Sequence, residues 1–187
     1  MVKIGLIYKQ LTPADFRVLE AIEKHIGRYE YVPIEVIEKT ARIPEAKLTL
    51  ILQKLRELKL VKRATVSGYK SFRITYLGLD MLALRSLVKM NVLEAIDGKI
   101  GVGKESDIYH GKAPGDVDVI VKFLRIGRRS FRRTRVVRSW GADPKYTWFH
   151  QSKIAAEREY KALKELSELG ASVPQPLAYN RHVVVTE

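Results

Sequence analysis

The feature that most constrains the fold is a glycine-rich segment followed by a lysine in an apolar run. The segment from Gly101 to Tyr109 reads Gly-Val-Gly-Lys-Glu-Ser-Asp-Ile-Tyr, and Lys122 lies in the run Val117–Phe123. A glycine turn between strands brings backbone N–H groups close to phosphates, and a lysine on the adjoining strand neutralises them. The pattern therefore predicts a phosphate site. We call its turn the phosphate loop: Gly101, Val102, Gly103, Lys104, Glu105 and Ser106.

The same segment partly fits a second phosphate-binding pattern. Gly98-x4-Gly103-Lys104 matches a Walker A loop up to its last position, where Glu105 replaces Ser or Thr. A carboxylate there lacks the hydroxyl that a magnesium ion needs. The residues that follow are typical of a strand, whereas a Walker A loop opens a helix, so we favour a turn between strands.

The order of elements after residue 91 is that of the amino-terminal lobe of a protein kinase. We expect an α+β domain with an antiparallel sheet and one long helix of the αC type. The predicted elements are strands at Ile100–Val102, Ser106–His110 and Val117–Leu124, a helix at Gln151–Leu169, and a hairpin of Leu177–Ala178 and Val183–Val185.

The long helix provides an independent test of the predicted kinase lobe, because an acidic residue falls on its apolar stripe. Glu159 lies among Ser152, Ala155, Ala156, Leu163 and Leu166 at helical spacing. An unpaired buried carboxylate is costly, and Lys122 is the natural partner. In kinases such a lysine–glutamate pair holds the α- and β-phosphates. In the alternative, Glu159 lies at the edge of the stripe and is solvated.

The first ninety residues predict a winged helix-turn-helix domain. Thr12-Pro13-Ala14-Asp15 has the hydroxyl cap, early proline and acidic residue of a helix start. Two β-prone runs flank Ser67-Gly68, which indicates a hairpin. The predicted elements are helices beginning near Thr12, Pro33 and Pro44, strands at Leu60–Val66 and Tyr69–Thr75, and a helix at Leu77–Met90.

The net charge of +13 suggests a nucleic-acid partner. Winged helices place their third helix in a groove and their hairpin against phosphates, although some dock proteins instead. No Asn or Arg pattern for base edges is evident, so we expect phosphate contacts; in the alternative, the charges form a solvated face. The candidate contacts are Lys47, Lys54, Arg56, Lys62, Arg63, Lys70 and Arg73.

A basic insertion separates the strand of Lys122 from the long helix, over residues 124–150. Seven arginines lie between Arg125 and Arg138, and aromatic residues follow. Arginines near aromatic rings fit RNA contact, whereas in the alternative this is a solvated loop whose aromatics pack on the lobe. Ser130 is a candidate phospho-acceptor. The candidate RNA contacts are Arg128, Arg129, Arg132 and Arg133, and the aromatic residues are Trp140, Tyr146, Trp148 and Phe149.

Composition excludes several classes of site. Without cysteine there is no disulfide, thiolate metal site or thiol nucleophile, and the four histidines have no metal-ligand spacing, so we expect no structural metal. No run of about 18 apolar residues occurs, and the amino terminus is too short for a signal peptide. We therefore expect a cytoplasmic protein with no membrane partner.

Four segments together resemble the RIO kinases, and more narrowly the subfamily with an amino-terminal winged helix. They are residues 101–109, Val-Ile-Val-Lys-Phe at 119–123, Gly-Arg-Arg-Ser-Phe-Arg at 127–132, and Tyr-Asn-Arg-His-Val-Val-Val-Thr-Glu at 179–187. The resemblance implies an atypical serine/threonine kinase or ATPase that acts in maturation of the small ribosomal subunit. Ribosomal RNA or the pre-small-subunit particle is then the implied partner.

The resemblance also implies roles for single residues. Lys104, Ser106 and the loop backbone would contact the phosphates of ATP, Lys122 would be the ATP lysine, and Glu159 its partner. Thr186 would be the gatekeeper behind the adenine, and the carbonyl of Glu187 would face the adenine amino group as the first hinge residue.

The family pattern also requires a carboxyl-terminal lobe with a catalytic Asp, a nearby Asn and a metal-binding Asp, and the sequence reaches Glu187 without them. We therefore expect a winged-helix domain over residues 1–90 and an amino-terminal kinase lobe over residues 91–187 ending at the hinge. The magnesium ligands are expected in the other lobe. We expect this portion to fold without transferring phosphate. The alternative is a non-catalytic nucleic-acid-binding module with a degenerate kinase lobe.

Overall fold

The computed structural model describes residues 4–127 and 148–187. The described residues form two compact units, one of residues 6–82 and one of residues 4–5, 83–127 and 148–187. Both combine helices with antiparallel strands, which confirms the predicted α+β class. The insertion residues from Arg128 to Tyr146, with their candidate RNA contacts, Ser130 and Trp140, lie outside the described residues.

The unit of residues 6–82 is a winged helix, as predicted. Its three-stranded antiparallel sheet has the order β1-β3-β2. Leu19, Ile22, Ile37, Leu48 and Leu55 are fully buried and form its core with other apolar residues. The elements up to residue 89 are α1 (Ile4–Lys9), α2 (Pro13–Lys24), β1 (Val32–Pro33), α3 (Ile34–Ala41), α4 (Glu45–Glu57), β2 (Val61–Val66), β3 (Tyr69–Ile74) and α5 (Tyr76–Lys89).

Local sequence signals explain where these elements begin and turn. Thr12 and Asp15 form a reciprocal capping box, in which the Asp15 N–H donates to Thr12 Oγ1 and the Thr12 N–H donates to Asp15 Oδ2. In the hairpin turn, Ser67 and Gly68 have φ of 50° and 84°. Two central residues in the left-handed region give the tight turn that matches the twist of the flanking strands.

The second unit contains the predicted five-stranded antiparallel sheet and its long helix. The strand order is β4-β5-β6-β8-β7, so β6 pairs along both edges. This architecture confirms the predicted amino-terminal kinase lobe. Its elements after α5 are β4 (Ala95–Val102), β5 (Ser106–Ala113), β6 (Val117–Leu124), α6 (Trp148–Glu168), β7 (Pro176–Asn180) and β8 (Val183–Thr186).

The two faces of this sheet have different coverings. On one face, Leu124 and Val184 pack against Ala156 of α6; we call it the helix face. Side chains alternate along a strand, so Val121 and Phe123 lie on the opposite face. There the ring centroid of Phe123 lies 5.2 Å from that of Tyr109. We call this second surface the outer face.

Several details differ from the sequence predictions or decide between them. Helix α6 begins at Trp148, before the predicted Gln151, so Trp148 and Phe149 are helical. Leu166, which helical spacing places on the apolar stripe, is 43% exposed, because the contacts of α6 with the sheet centre on Ala156. Short helix α1 was not predicted. The Walker A interpretation is wrong, since the residues after Glu105 form strand β5.

In the winged helix, Lys54 stabilises a buried carboxylate. Lys54 Nζ lies 2.6 Å from Asp15 Oδ2 and also donates to the carbonyl oxygen of Gln10 at 2.7 Å. Asp15 is 2% exposed, whereas Lys54 is 38% exposed. The pair therefore joins α4 to the start of α2, and removal of Lys54 leaves a buried charge with less compensation.

We predict that Lys54→Met lowers the free energy of unfolding by about 1–2 kcal/mol, less than for a fully buried pair because Lys54 is partly solvated. Lys47→Met is the matched control, since Lys47 is exposed on the same helix; its effect is expected within about 0.5 kcal/mol. Urea denaturation of both variants measures the difference. Equal effects would contradict the structural role of Lys54.

Candidate functional site

Strand register places Lys122 directly beside the phosphate loop. Gly101 of β4 pairs with Ile108 of β5, Ile108 pairs with Lys122 of β6, and Lys122 pairs with Val184 of β8. These four residues form one row across the sheet. Residues paired across strands share a face, so Lys122 and Val184 both lie on the helix face. The row explains how a lysine distant from the glycines in sequence reaches the same place.

Lys122 forms the predicted ion pair with Glu159 of α6. Its Nζ lies 2.9 Å from Oε1 and 3.0 Å from Oε2 of the carboxylate. The side chains are 33% and 29% exposed, so Glu159 is not simply solvated at the edge of its stripe. An ammonium group has three N–H donors. A carboxylate therefore orients Lys122 while the lysine can still donate to a phosphate.

The phosphate loop is a tight turn closed by its own backbone. The Gly103 N–H donates to the carbonyl oxygen of Ser106 at 2.9 Å, and the Arg125 N–H donates to that of Glu105 at 2.7 Å. A Cβ on Gly103 would lie 2.6 Å from Ser106 Oγ, closer than side chains tolerate. A side chain at residue 103 would therefore force the nearly buried Ser106 side chain to move.

Two isoleucines beside Lys122 were missed by the sequence analysis. Ile120 pairs with Thr186, and Ile108 pairs with Lys122, so all four side chains lie on the helix face. Ile108, Ile120 and Thr186 are only partly buried, whereas Glu187 is exposed. The two isoleucines provide an apolar surface next to the Lys122 ammonium group. The alternation of residues within the predicted strands was the signal that could have identified them.

On the winged helix, several predicted cations converge on one surface groove. Arg56 of α4 lines this groove together with Arg63 of β2 and Lys70 of β3. The polar side chains of Thr49 and Gln53, which project from the same helix, also line it. The groove thus joins the third helix of the helix-turn-helix to the hairpin, and three positive charges border it. We call it the basic groove.

The other predicted cations of this unit lie differently. Lys54 is engaged with Asp15, as described above, and Arg73 pairs with Glu30 at 3.1 Å and lies over the ring of Tyr31. Lys47 and Lys62 are exposed. Exposed ion pairs such as Arg73–Glu30 are weak and exchange readily, whereas the pair of Lys54 involves a buried acid.

The described residues contain neither a metal-ligating cluster nor a helix that could span a membrane. In residues 4–127 and 148–187, no three His, Asp or Glu side chains are grouped so that they could hold a metal ion. Within the same ranges, no helix is both long enough and apolar enough to cross a bilayer.

Comparison with known proteins identifies both units. The family described as "Rio2, N-terminal" matches residues 8–90, and the RIO domain matches residues 107–187. The serine/threonine-protein kinase rio2 of Schizosaccharomyces pombe is 35% identical over 180 residues, which cover 96% of this chain and 52% of that protein. The Rio2 kinase of Methanocaldococcus jannaschii is 35% identical over 158 residues, covering 84% and 57%.

A solved structure shares the fold over almost the whole chain. The Rio2 kinase of Chaetomium thermophilum, in complex with ADP, Mg²⁺ and phosphoaspartate, has a TM-score of 0.84 and 33% identity. The match covers 98% of this chain and 54% of that chain. The present chain thus spans about half the length of these relatives.

We predict that Gly103→Ala forces Ser106 Oγ to move and lowers the free energy of unfolding by about 1 kcal/mol. Gly98→Ala is the matched control, because a Cβ at this position of β4 meets no atom within 4 Å. The double variant Gly103→Ala/Ser106→Ala removes the clashing oxygen and is expected to recover most of the loss. Chemical denaturation of the three variants checks this; no recovery in the double variant would contradict the proposed clash.

Proposed function

Because this chain belongs to the RIO family of protein kinases, in the group with the Rio2 amino-terminal domain, we propose that it is the ATP-binding portion of a RIO-type serine/threonine kinase or ATPase. The observation that carries the proposal is the Lys122–Glu159 ion pair in the same row as the phosphate loop. Lysine, glutamate and glycine turn are the parts that an amino-terminal kinase lobe contributes to phosphoryl transfer.

The phosphate loop, Lys122 and Glu159 fit a bound nucleoside triphosphate. The backbone N–H groups of the phosphate loop, with Lys104 and Ser106, would hold the phosphates, and Lys122 would neutralise the α- and β-phosphates. Glu159 fixes the direction of the Lys122 ammonium group. ATP, when bound, supplies the phosphoryl group to be transferred, and magnesium would be held by ligands of the carboxyl-terminal lobe.

The apolar surface beside Lys122 suits the adenine ring. Ile108 and Ile120 would contact one face of the ring, with Thr186 as gatekeeper behind it, and the backbone of Glu187 would bind its edge. Partial burial of the two isoleucines supports this assignment, since both belong to the central part of a sheet and yet stay incompletely covered.

We further propose that the winged helix binds RNA, with ribosomal RNA of a pre-small-subunit particle in the cytoplasm as the biological partner. The basic groove supports this proposal, because Arg56, Arg63 and Lys70 converge there from a helix and a hairpin. Phosphates are the ligands such a cluster attracts, and the absence of a base-reading pattern favours binding with little sequence preference. Lys54 is omitted from this surface because Asp15 engages its charge.

We predict that Lys122→Met weakens ATP binding roughly ten- to a hundredfold, the loss expected for a charge-assisted contact. Equilibrium dialysis with labelled ATP measures this. The matched control is Lys112→Met on strand β5, because Lys112 pairs with Asp116 and Asp118 at the other end of the sheet. The control is expected to bind ATP within about twofold of the unchanged chain. A chain that binds no ATP yet binds RNA would support the degenerate-lobe alternative instead.

We predict that Arg56→Gln, Arg63→Gln and Lys70→Gln, combined, weaken RNA binding and flatten its salt dependence. Three lost contacts to single-stranded RNA reduce the slope of log K against log salt by about 2. Fluorescence anisotropy with an unstructured RNA of mixed sequence measures the slope. The control removes the same charge from exposed Lys9, Arg17 and Lys24 of α1 and α2. Equal slopes for the two triple variants would show that net charge alone matters.

A further inference from the structure

A buried ion cluster lies on the outer face of the sheet, at the base of the phosphate loop. Asp107 follows directly after Ser106, and its side chain is 5% exposed. Its Oδ1 lies 3.0 Å from Lys99 Nζ, and its Oδ2 lies 3.3 Å from Arg125 Nε. A buried carboxylate between two cations is a costly arrangement to build, and its loss would leave both cations without their counter-charge.

The cluster joins the three chain segments that surround the loop. Lys99 belongs to β4, which enters the loop; Asp107 belongs to β5, which leaves it; and Arg125 follows the end of β6. The backbone N–H of Arg125 also donates to the carbonyl oxygen of Glu105 inside the loop, at 2.7 Å. The side chain and the backbone of Arg125 therefore hold the same turn.

The backbone ladder by itself is irregular at this point. The pairing of β4 with β5 shifts register between Ile96 and Lys99, and again between Lys99 and Gly101. Regular pairing normally fixes the position of a strand, and each irregularity locally disrupts it. Lys99 pairs with Tyr109 between the two shifts, so its bond to Asp107 adds a side-chain link to β4 at the place where the ladder is interrupted on both sides.

Each of the two cations lies over an aromatic ring. Lys99 Nζ lies 5.7 Å from the ring centroid of Tyr109, and the guanidinium of Arg125 lies 5.4 Å from that of Phe123. The Arg125 side chain is 11% exposed. Low exposure strengthens the attraction between the charges and limits their exchange with solvent. Lys99 is 26% exposed, so the cluster is better shielded from solvent than a surface ion pair, most of all at Asp107 and Arg125.

Asp107 cannot touch a nucleotide bound beside Lys122. Asp107 pairs with Phe123, whereas Lys122 pairs with the next residue, Ile108. Adjacent residues of a strand point to opposite faces, so Asp107 lies on the outer face and Lys122 on the helix face. Asp107 therefore makes no direct contact with such a nucleotide, and the loop that adjoins it is the structural route for an indirect effect.

We propose that Asp107 is a positioning residue that, through Lys99 and Arg125, holds the backbone of the phosphate loop in place to bind nucleotide phosphates. This role rests on the ATP site proposed above. A preorganised loop binds without the cost of ordering its backbone on each encounter. Loss of Asp107 therefore weakens ligands that carry phosphates and leaves the adenosine part unaffected.

The test compares ATP, ADP and adenosine binding to the intact chain by equilibrium dialysis, in the unchanged protein and in Asp107→Asn. We expect ATP and ADP to bind at least about tenfold more weakly to the variant, which corresponds to 1.4 kcal/mol, and adenosine to bind within about twofold. Arg125→Gln is expected to reproduce this pattern. The double variant is expected to lose less than the sum of the single losses, because one link is being removed.

The matched control is Asp118→Asn on β6. Asp118 is also paired, with Lys112 and His110, but its side chain is 69% exposed and it lies at the end of the β5–β6 hairpin away from the loop. It is expected to bind all three ligands normally. If Asp107→Asn fails to fold, Lys99→Gln removes only the link to β4 and is expected to weaken ATP and ADP several-fold, again without affecting adenosine.

Each other outcome is decisive. Normal ATP binding by folded Asp107→Asn and Lys99→Gln overturns the role of Asp107, and so does equal weakening of ATP and adenosine, which indicates a general loss of structure. If the unchanged chain binds ATP no better than Lys122→Met does, the proposed ATP site is wrong and this inference is overturned with it. ATP binding that depends on Lys122 but not on Asp107 overturns only the inference.

Discussion

The central position of strand β6 is the constraint on which the arrangement of the lobe depends. Because β6 pairs with β5 on one edge and β8 on the other, its side chains can point only to the two faces of the sheet. Phe123 and Val121 bury themselves on the outer face, so Lys122 and Leu124 must lie under helix α6. A lysine that lies beneath a helix is stabilised by an acidic residue on that helix, and Glu159 provides this carboxylate.

The Lys122–Glu159 pair contributes more to position than to stability. Both side chains are about one-third exposed, and a pair that keeps much of its hydration contributes little net free energy. The Asp107 cluster on the outer face is far better shielded, with two cations around one carboxylate. The partly exposed Lys122–Glu159 pair therefore lies on the helix face, where a ligand can bind. The shielded Asp107 cluster lies on the outer face, at the base of the phosphate loop.

Much of this arrangement could be predicted from the sequence, since it depends on local signals. The apolar run around Lys122 predicted β6 with its observed bounds, helical spacing predicted an inward position for Glu159, and the cost of burying an acid identified Lys122 as its partner. The pairing of Asp107 with Lys99 could not be predicted, because it depends on the irregular register of β4. The exposure of Leu166 likewise depends on how α6 crosses the sheet, which spacing within the helix does not determine.

Some cations lie against buried acids and others face the basic groove, and this difference changes what the net charge of +13 means for nucleic-acid binding. Lys54, Lys99 and Arg125 each lie against a buried carboxylate, so moving any of them to a phosphate would strand that acid. Arg56, Arg63 and Lys70 face one groove, where a phosphate can approach. Counterion release depends on the cations that contact phosphate and not on the total. In the proposed RNA complex, the winged helix would therefore bind through a few convergent cations, and composition alone overstates their number.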